Sequence, residues 1–118
     1  MKTFVESATG VLKRVLLSRP DYIELAPIDK ISMDWIEKGI TLDKKLALAE
    51  HDSLIEIYKS NGVEVEIINP VENLSSMIYA RDFGFNLKEG YVLGRFKEKV
   101  RQPETDLYEK KLKELGVP

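Results

Sequence analysis

The stretch TLDKKLALAEHDSLIEIYKSNGVEVEII, residues 41–68, joins a long amphipathic segment directly to a short β-rich one. Thr41 is the predicted N-cap of a helix that ends at residue 60, and Asn61-Gly62 is a typical C-terminal stop. Residues 63–68 first alternate apolar and charged side chains and then become wholly apolar, which predicts a strand that enters a core. The stretch therefore predicts a helix packed on a sheet, the local plan of an α/β fold.

Two segments of the chain follow this plan, and the first of them contains residues 41–68. A strand is predicted at residues 12–18, where it is stopped by Arg19-Pro20, and a short helix at residues 32–38. Downstream, we predict strands at residues 77–80, 83–86 and 91–94 and a helix over residues 103–115 that is stopped by Gly116. The sequence thus contains about two strand–helix modules, with no flexible linker between them.

Gly62 leads into a strand, so Gly116-Val117-Pro118 is expected to open one too, but the sequence stops there. We therefore expect the two modules to be part of a larger fold. The apolar face of the last helix is then expected to lie uncovered, and Val117 and Pro118 to lie near a contact with a second polypeptide.

Composition limits the class of protein. The chain has 118 residues, 43% of them hydrophobic and 32% charged, which suits one globular domain. The net charge of −2 gives no electrostatic reason to expect nucleic acid or an anionic membrane as a partner. No run of apolar residues approaches a membrane span, and the amino terminus lacks the pattern of a secretory signal, so a cytoplasmic location is predicted.

The sequence has no cysteine and a single histidine, His51. These counts exclude disulfides, thiolate metal sites and a cysteine nucleophile within this polypeptide. His51 falls in the middle of the amphipathic helix, where a packed and hydrogen-bonded side chain is the favoured interpretation. We predict no metal, no cofactor and no catalytic residue in this chain.

Residues 78–104 carry the candidate ligand-binding groups. Asp82 lies between two apolar runs, so its carboxylate is expected at the end of a strand, where a planar guanidinium suits it best. The ring of Tyr79 is placed to stack on such a cation, and Arg101, nineteen residues after Asp82, can hold an anionic end of the same ligand. A structural alternative stays open, because Asp82 and Arg101 also suit a simple buried ion pair.

At these residues the sequence resembles the guanidino-group-modifying superfamily, which includes arginine deiminases, dimethylarginine dimethylaminohydrolases and amidinotransferases. The resemblance extends over nearly all of the chain. It is carried by residues 6–20 (ESATGVLKRVLLSRP), 49–51 (AEH), 62–65 (GVEV), 79–82 (YARD) and 101–104 (RQPE).

The resemblance implies a pentein fold, an α/β propeller of five ββαβ-type modules, of which residues 1–118 would be the N-terminal two and therefore incomplete. By position, Asp82 matches the residue that binds the substrate guanidinium, and Arg101 matches the one that binds the substrate α-carboxylate. Tyr79 and, more distantly, Ser76 match other substrate contacts. The supporting residues that the resemblance implies are Arg81 and Glu104.

Relatives attack the guanidinium carbon with a cysteine and use a histidine and an acid, all from the later part of the chain. The resemblance therefore implies that this chain is inactive alone and needs a complementing C-terminal portion. Its ligand would be a guanidino compound such as arginine or a methylarginine, and a homo-oligomer is expected. Three interpretations stay open: part of a hydrolase or amidinotransferase, a stand-alone binding or assembly module, and a plain structural domain.

Overall fold

The computed structural model describes residues 3–118. Its first half contains β1 (Arg14–Ser18), α1 (Lys30–Glu37), α2 (Lys44–Ser60) and β2 (Glu64–Ile68). β1 and β2 form a parallel pair in which Ser18 lies opposite Ile68. Parallel strands need a crossover connection, and the segment with α1 and α2 supplies it. α2 lies against β2, which confirms the predicted packing of this helix on a sheet.

The second half follows a different local plan. It contains β3 (Gly84–Leu87), β4 (Gly90–Leu93) and α3 (Glu104–Glu114), with single 3₁₀ turns at Ala80–Phe83 and Lys99–Arg101. β3 and β4 pair antiparallel as a hairpin. The predicted strands at 83–86 and 91–94 and the predicted last helix are confirmed to within a residue or so. Within residues 3–118, no helix combines the length and apolarity of a membrane span.

The ends of the helices follow from capping residues. The predicted N-cap Thr41 is wrong, because Asp43 caps α2 and its side chain accepts a hydrogen bond from the Leu46 N–H at 2.9 Å. A carboxylate also interacts favourably with the positive end of the helix dipole, which a threonine hydroxyl does less well. α2 and α3 end alike, since Gly62 and Gly116 adopt φ values of 76° and 73° in the left-handed region.

The strand predicted at residues 77–80 does not exist. Instead, the N–H groups of Met77, Tyr79 and Asp82 each donate to the carbonyl three residues earlier, which makes a series of tight turns. The buried side chains explain this, because Met77, Ala80 and Phe83 recur every three residues and are all buried. A period of three suits a 3₁₀ turn, whereas a strand would require a period of two.

The core joins both halves of the chain. Its buried apolar members are Ile68, Met77, Ala80, Phe83, Tyr108, Leu112 and Val117. The apolar face of α3 was expected to lie uncovered, but Tyr108 and Leu112 are only 0% and 2% exposed. Val117 is buried as well, whereas Pro118 is exposed. The expectation for the helix face was wrong because the turns at residues 77–83 pack on α3 and cover it. A contact near Val117 and Pro118 stays a prediction.

The outer face of the β3–β4 hairpin is one of the apolar surfaces that remain open. Phe85, Leu87 and Val92 are 58%, 44% and 44% exposed, and Phe85 lies directly opposite Val92 across the two strands. Neighbouring apolar side chains of this kind often mark a contact surface. Self-association, or association with a complementing portion, stays a prediction.

Candidate functional site

Arg101 is the centre of the candidate site. It ends the second 3₁₀ turn, just before α3 begins, and it is only 8% exposed. Its Nε donates to Glu104 Oε2 and its Nη2 to Glu104 Oε1, both at 3.0 Å. Glu104 is fully buried. Two parallel hydrogen bonds to one carboxylate fix both the position and the plane of the guanidinium.

The same guanidinium holds Asp82. Arg101 Nη1 donates to Asp82 Oδ2 at 2.7 Å, and the Asp82 side chain is still 47% exposed. The other carboxylate oxygen, Oδ1, has no hydrogen-bond partner among residues 3–118. Asp82 is therefore anchored through one oxygen and available to a ligand through the other.

Backbone carbonyls complete the surroundings of Arg101. Its Nη2 lies 3.3 Å from the carbonyl oxygen of Tyr79 and 3.4 Å from that of Ser76. These two carbonyls belong to the turns that precede Asp82, so Arg101 ties the whole segment to the start of α3. The sequence-predicted residues Ser76, Tyr79, Asp82, Arg101 and Glu104 are thus brought together.

Two aromatic rings flank the guanidinium. The Arg101 Cζ atom lies 4.2 Å from the centre of the Phe96 ring and 5.8 Å from that of Tyr79. Both distances fall within the range of a cation–π interaction, and the Phe96 contact is much the closer. The Tyr79 ring is 57% exposed, so most of it remains open to a ligand.

Arg101 stays charged in this buried place. Burial alone would lower the pKa of the Arg101 guanidinium, but the hydrogen bonds that it donates to Glu104 and to Asp82 outweigh burial and raise that pKa. Two carboxylates facing one guanidinium leave a net negative charge in the cluster. The site therefore favours a second cation over an anion at its open side.

The side chains of Ser76 and Arg81 form no hydrogen bond with Asp82 or Arg101 among the described residues 3–118. Ser76 is 6% exposed and reaches Arg101 through its backbone carbonyl, so its part as a side-chain contact for substrate stays a prediction. Arg81 is exposed, and its side chain forms no hydrogen bond or ion pair with any residue in the described range 3–118. The period of three in this turn directs Ala80 and Phe83 inward and leaves Arg81 outside. Its support of Asp82 and Arg101 stays a prediction.

Phe96 is the site residue that sequence reasoning missed. It follows β4 and precedes Arg101 by five positions, which is no regular helical or strand spacing. Its backbone is fixed by Gln102, whose Nε2 donates to the Phe96 carbonyl at 3.2 Å. The available signal was an isolated aromatic residue in a charged segment, between Arg95 and Lys97.

The arrangement presents a half-exposed carboxylate and an exposed aromatic residue, and it contains no thiol. The sequence contains no cysteine, and His51 lies on α2 with Arg19, Asp52 and Asp21 as its charged neighbours, none of which belongs to the site. Within residues 3–118, no three His, Cys, Asp or Glu side chains are grouped in a way that could hold a metal ion.

His51 is packed as expected, but the expected hydrogen bond is missing at one nitrogen. The residue is 7% exposed, and its Nδ1 has no hydrogen-bond partner among residues 3–118. Burial lowers the pKa of the His51 imidazole below its ordinary value of 6.5, and the charge of Arg19 lowers it further, while Asp52 and Asp21 raise it. The folded chain therefore favours the neutral imidazole.

A pH dependence of stability follows. As the pH falls through about 6.5, the unfolded chain takes up a proton at this position more readily than the folded chain, so stability decreases. We expect the urea midpoint of the chain to fall more between pH 7.5 and 5.0 than that of the His51→Gln variant. His51 is the sole histidine, so the difference isolates its contribution. Equal pH dependence in the two proteins would contradict the buried neutral state.

A comparison with protein families finds one that covers most of the chain. The family model described as N,N dimethylarginine dimethylhydrolase, eukaryotic, matches residues 19–117. Among curated proteins, the chain is 27% identical over 103 residues to the uncharacterized protein YkgA of Bacillus subtilis, covering 87% of this chain and 36% of that protein. It is 27% identical over 82 residues to the N(G),N(G)-dimethylarginine dimethylaminohydrolase of Mycobacterium tuberculosis, covering 70% of this chain and 27% of that enzyme. The chain thus spans about a third of the length of these relatives.

Solved structures share the fold. A complex of an AgrE mutant with L-arginine matches with a TM-score of 0.77 and 23% identity, over 91% of this chain and 15% of that chain. The N-terminal domain of ArgZ bound to product, an arginine dihydrolase from the ornithine–ammonia cycle in cyanobacteria, matches with a TM-score of 0.77 and 24% identity, over 92% and 38%. A dimethylarginine dimethylaminohydrolase adduct matches with a TM-score of 0.68 and 16% identity, over 89% and 38%.

Proposed function

Since this chain belongs to the family described as N,N dimethylarginine dimethylhydrolase, eukaryotic, we propose that it forms the guanidinium-recognising portion of a guanidino-modifying enzyme. The predicted fold class, an incomplete α/β pentein, is confirmed by the likeness to the arginine-modifying enzymes. The chain spans about a third of the length of its relatives, and we propose that residues 1–118 are the N-terminal part of that fold, as the sequence resemblance implies.

The half-exposed carboxylate of Asp82 carries this proposal. Its Oδ2 is held by Arg101 at 2.7 Å, and its side chain is 47% exposed. The ring centre of Tyr79, an exposed residue, lies 5.8 Å from the same guanidinium. A carboxylate that is fixed at one oxygen loses little freedom when the other oxygen accepts from a ligand. An adjacent aromatic face favours a planar cation over a spherical one. A guanidinium group meets both requirements.

Arg101 is proposed to contact the carboxylate of the same ligand through a single N–H group. Most of its N–H groups are already engaged by Glu104, by Asp82 and by backbone carbonyls. Of the two N–H groups on Nη1, one donates to Asp82, which leaves the other for a ligand oxygen. This favours an amino-acid ligand such as arginine or a methylarginine, in keeping with the L-arginine bound by AgrE.

Chemistry is proposed to come from residues outside this chain. A guanidinium is stabilised by resonance, and its carbon needs a covalent nucleophile to be attacked at neutral pH. The chain has no cysteine to play that part, so we expect the isolated protein to bind its ligand without turning it over. Whether the complete enzyme hydrolyses the ligand or transfers its amidine depends on what resolves the intermediate. No cofactor is proposed, and a cytoplasmic location stays a prediction.

Binding of L-arginine by the purified chain tests the proposal. We expect saturable shifts in ¹H–¹⁵N spectra around Asp82, with a Kd on the order of 1 mM because only part of the site is present. Asp82→Asn removes the negative charge with little change in shape. We expect it to weaken binding by roughly ten-fold or more, the usual effect of losing a charge-assisted hydrogen bond.

Matched controls separate this effect from general electrostatics. Asp106→Asn makes the same change at an exposed position of α3, and it is expected to leave the Kd for L-arginine unchanged. L-citrulline, which has a neutral ureido group in place of the guanidinium, is expected to bind much more weakly than L-arginine. If Asp82→Asn binds L-arginine as well as the unaltered chain does, Asp82 is not the guanidinium ligand.

A further inference from the structure

We propose that Phe96 is a positioning residue for guanidinium binding, which it supports through Arg101 and Asp82. The inference rests on the proposed function and deepens it, because it identifies how the ligand-binding carboxylate is held in place. Phe96 does not contact the ligand in this proposal. It covers one face of the Arg101 guanidinium at 4.2 Å, and Arg101 in turn fixes Asp82 Oδ2 at 2.7 Å.

The edges of the guanidinium are defined by hydrogen bonds, but its faces are not. Glu104 accepts hydrogen bonds from Nε and Nη2, and Asp82 accepts one from Nη1. These contacts therefore act in or near the guanidinium plane. Rocking of the plane about the Glu104 contact would move Nη1 and break the bond to Asp82. A ring packed on one face opposes that motion, and Phe96 is the nearer of the two rings that can do so.

Phe96 is itself well held. Its ring is half-buried and packs against the hydrophobic core, and Gln102 Nε2 donates to its backbone carbonyl. The ring therefore transmits the rigidity of the core to the guanidinium. It also excludes water from that face, which strengthens the ion pairs with Glu104 and Asp82 by lowering the local dielectric.

Tyr79 is poorly suited to this role. Its ring centre is 5.8 Å from Arg101 Cζ, and the residue is 57% exposed, so its position is weakly constrained. The two aromatic residues thus have different roles. The Phe96 ring holds the resident guanidinium of Arg101, and the Tyr79 ring remains open for the guanidinium of the ligand.

The test compares Phe96→Leu with Phe96→Tyr in the full chain. Leucine keeps the contact with the core but removes the π face, whereas tyrosine keeps the ring. In the ligand-free protein, we expect the Nε–H of Arg101 to exchange with solvent about ten-fold faster in Phe96→Leu, because the guanidinium is no longer covered. The Kd for L-arginine is expected to rise about three- to ten-fold, the range for a partly desolvated cation–π contact. Phe96→Tyr is expected to have the same Nε–H exchange rate and the same Kd for L-arginine as the unaltered chain.

Phe85→Leu is the matched control, since Phe85 is 58% exposed on the outer face of the hairpin. It is expected to change neither value. If Phe96→Leu leaves both the Nε–H exchange and the Kd unchanged, Phe96 has no positioning role, even if L-arginine binds. If the exchange accelerates but the Kd does not change, Phe96 covers Arg101 without serving the ligand, and the proposal is again overturned. If the unaltered chain does not bind L-arginine, the proposed function is overturned, and the positioning role of Phe96 is overturned with it.

Discussion

Replacing Tyr108 with alanine is expected to lower the free energy of unfolding by about 4 kcal/mol, the middle of the range for truncating a buried aromatic residue. Tyr108 is 0% exposed, and its ring is stacked on Phe83 with a distance of 4.3 Å between the ring centres. Its hydroxyl donates to the Met77 carbonyl at 2.5 Å. Because a domain of this size has only about 5–15 kcal/mol in total, the variant is expected to lose a large fraction of its stability.

Tyr108→Phe separates the two contributions. The phenyl ring keeps the stack on Phe83, but the carbonyl of Met77 loses its donor, so we expect a loss of about 1–2 kcal/mol. Urea denaturation followed by circular dichroism measures both variants, with Tyr22→Ala as the control at a position that is 41% exposed. A Tyr108→Ala variant as stable as Tyr22→Ala would show that α3 does not pack on the turn at residues 80–83.

Burial also raises the pKa of the Tyr108 phenol, and the nearby charge of Glu104 raises it further. Tyr108 and Glu104 lie one turn apart on α3. The helix thus presents an aromatic ring to the core and a carboxylate to Arg101. Packing of the core and geometry of the candidate site are therefore expected to be coupled, since both depend on where α3 lies.

Most of the regular structure could be predicted from the sequence, because it depends on local signals. Gly62 and Gly116 mark the ends of two helices, and the alternation after Gly62 marks β2. Residues 77–80 could not be assigned correctly, since an apolar run of four fits a strand or a turn equally well. Its conformation is decided by the contacts of Met77 with Tyr108, far away in sequence.

Some residues of the candidate site could likewise be predicted from the sequence, and others could not. Asp82 and Arg101 could be selected from the sequence through their spacing and the resemblance, and the structure places them 2.7 Å apart. Phe96 could not be selected, because its contact with Arg101 depends on how the segment after β4 folds back. The resemblance implies a supporting role for Arg81, but adjacent residues in a tight turn face different directions, and its side chain is exposed.

Replacing Glu104 with glutamine is expected to lower the free energy of unfolding by about 3 kcal/mol, although the change alters a single side-chain atom. Glu104 is fully buried and accepts two hydrogen bonds from Arg101, which is 8% exposed. A glutamine amide offers one acceptor and turns an NH₂ group toward the guanidinium. Asp82 then becomes the remaining anionic partner of a buried cation, and it is itself half exposed.

The double variant Glu104→Gln with Arg101→Met tests this explanation. If the loss arises from an uncompensated buried charge, removal of that charge is expected to recover part of the stability, because a buried pair can be replaced by apolar groups at little cost. Glu114→Gln, at an exposed position in the last turn of α3, is expected to stay within about 0.5 kcal/mol of the unaltered chain. Thermal unfolding at pH 7 gives all the values. A double variant less stable than Glu104→Gln alone would mean that Arg101 still stabilises the fold without Glu104, through Asp82 and the carbonyls of Ser76 and Tyr79. The carboxylate of Glu104 would then not be what compensates for the burial of the Arg101 charge.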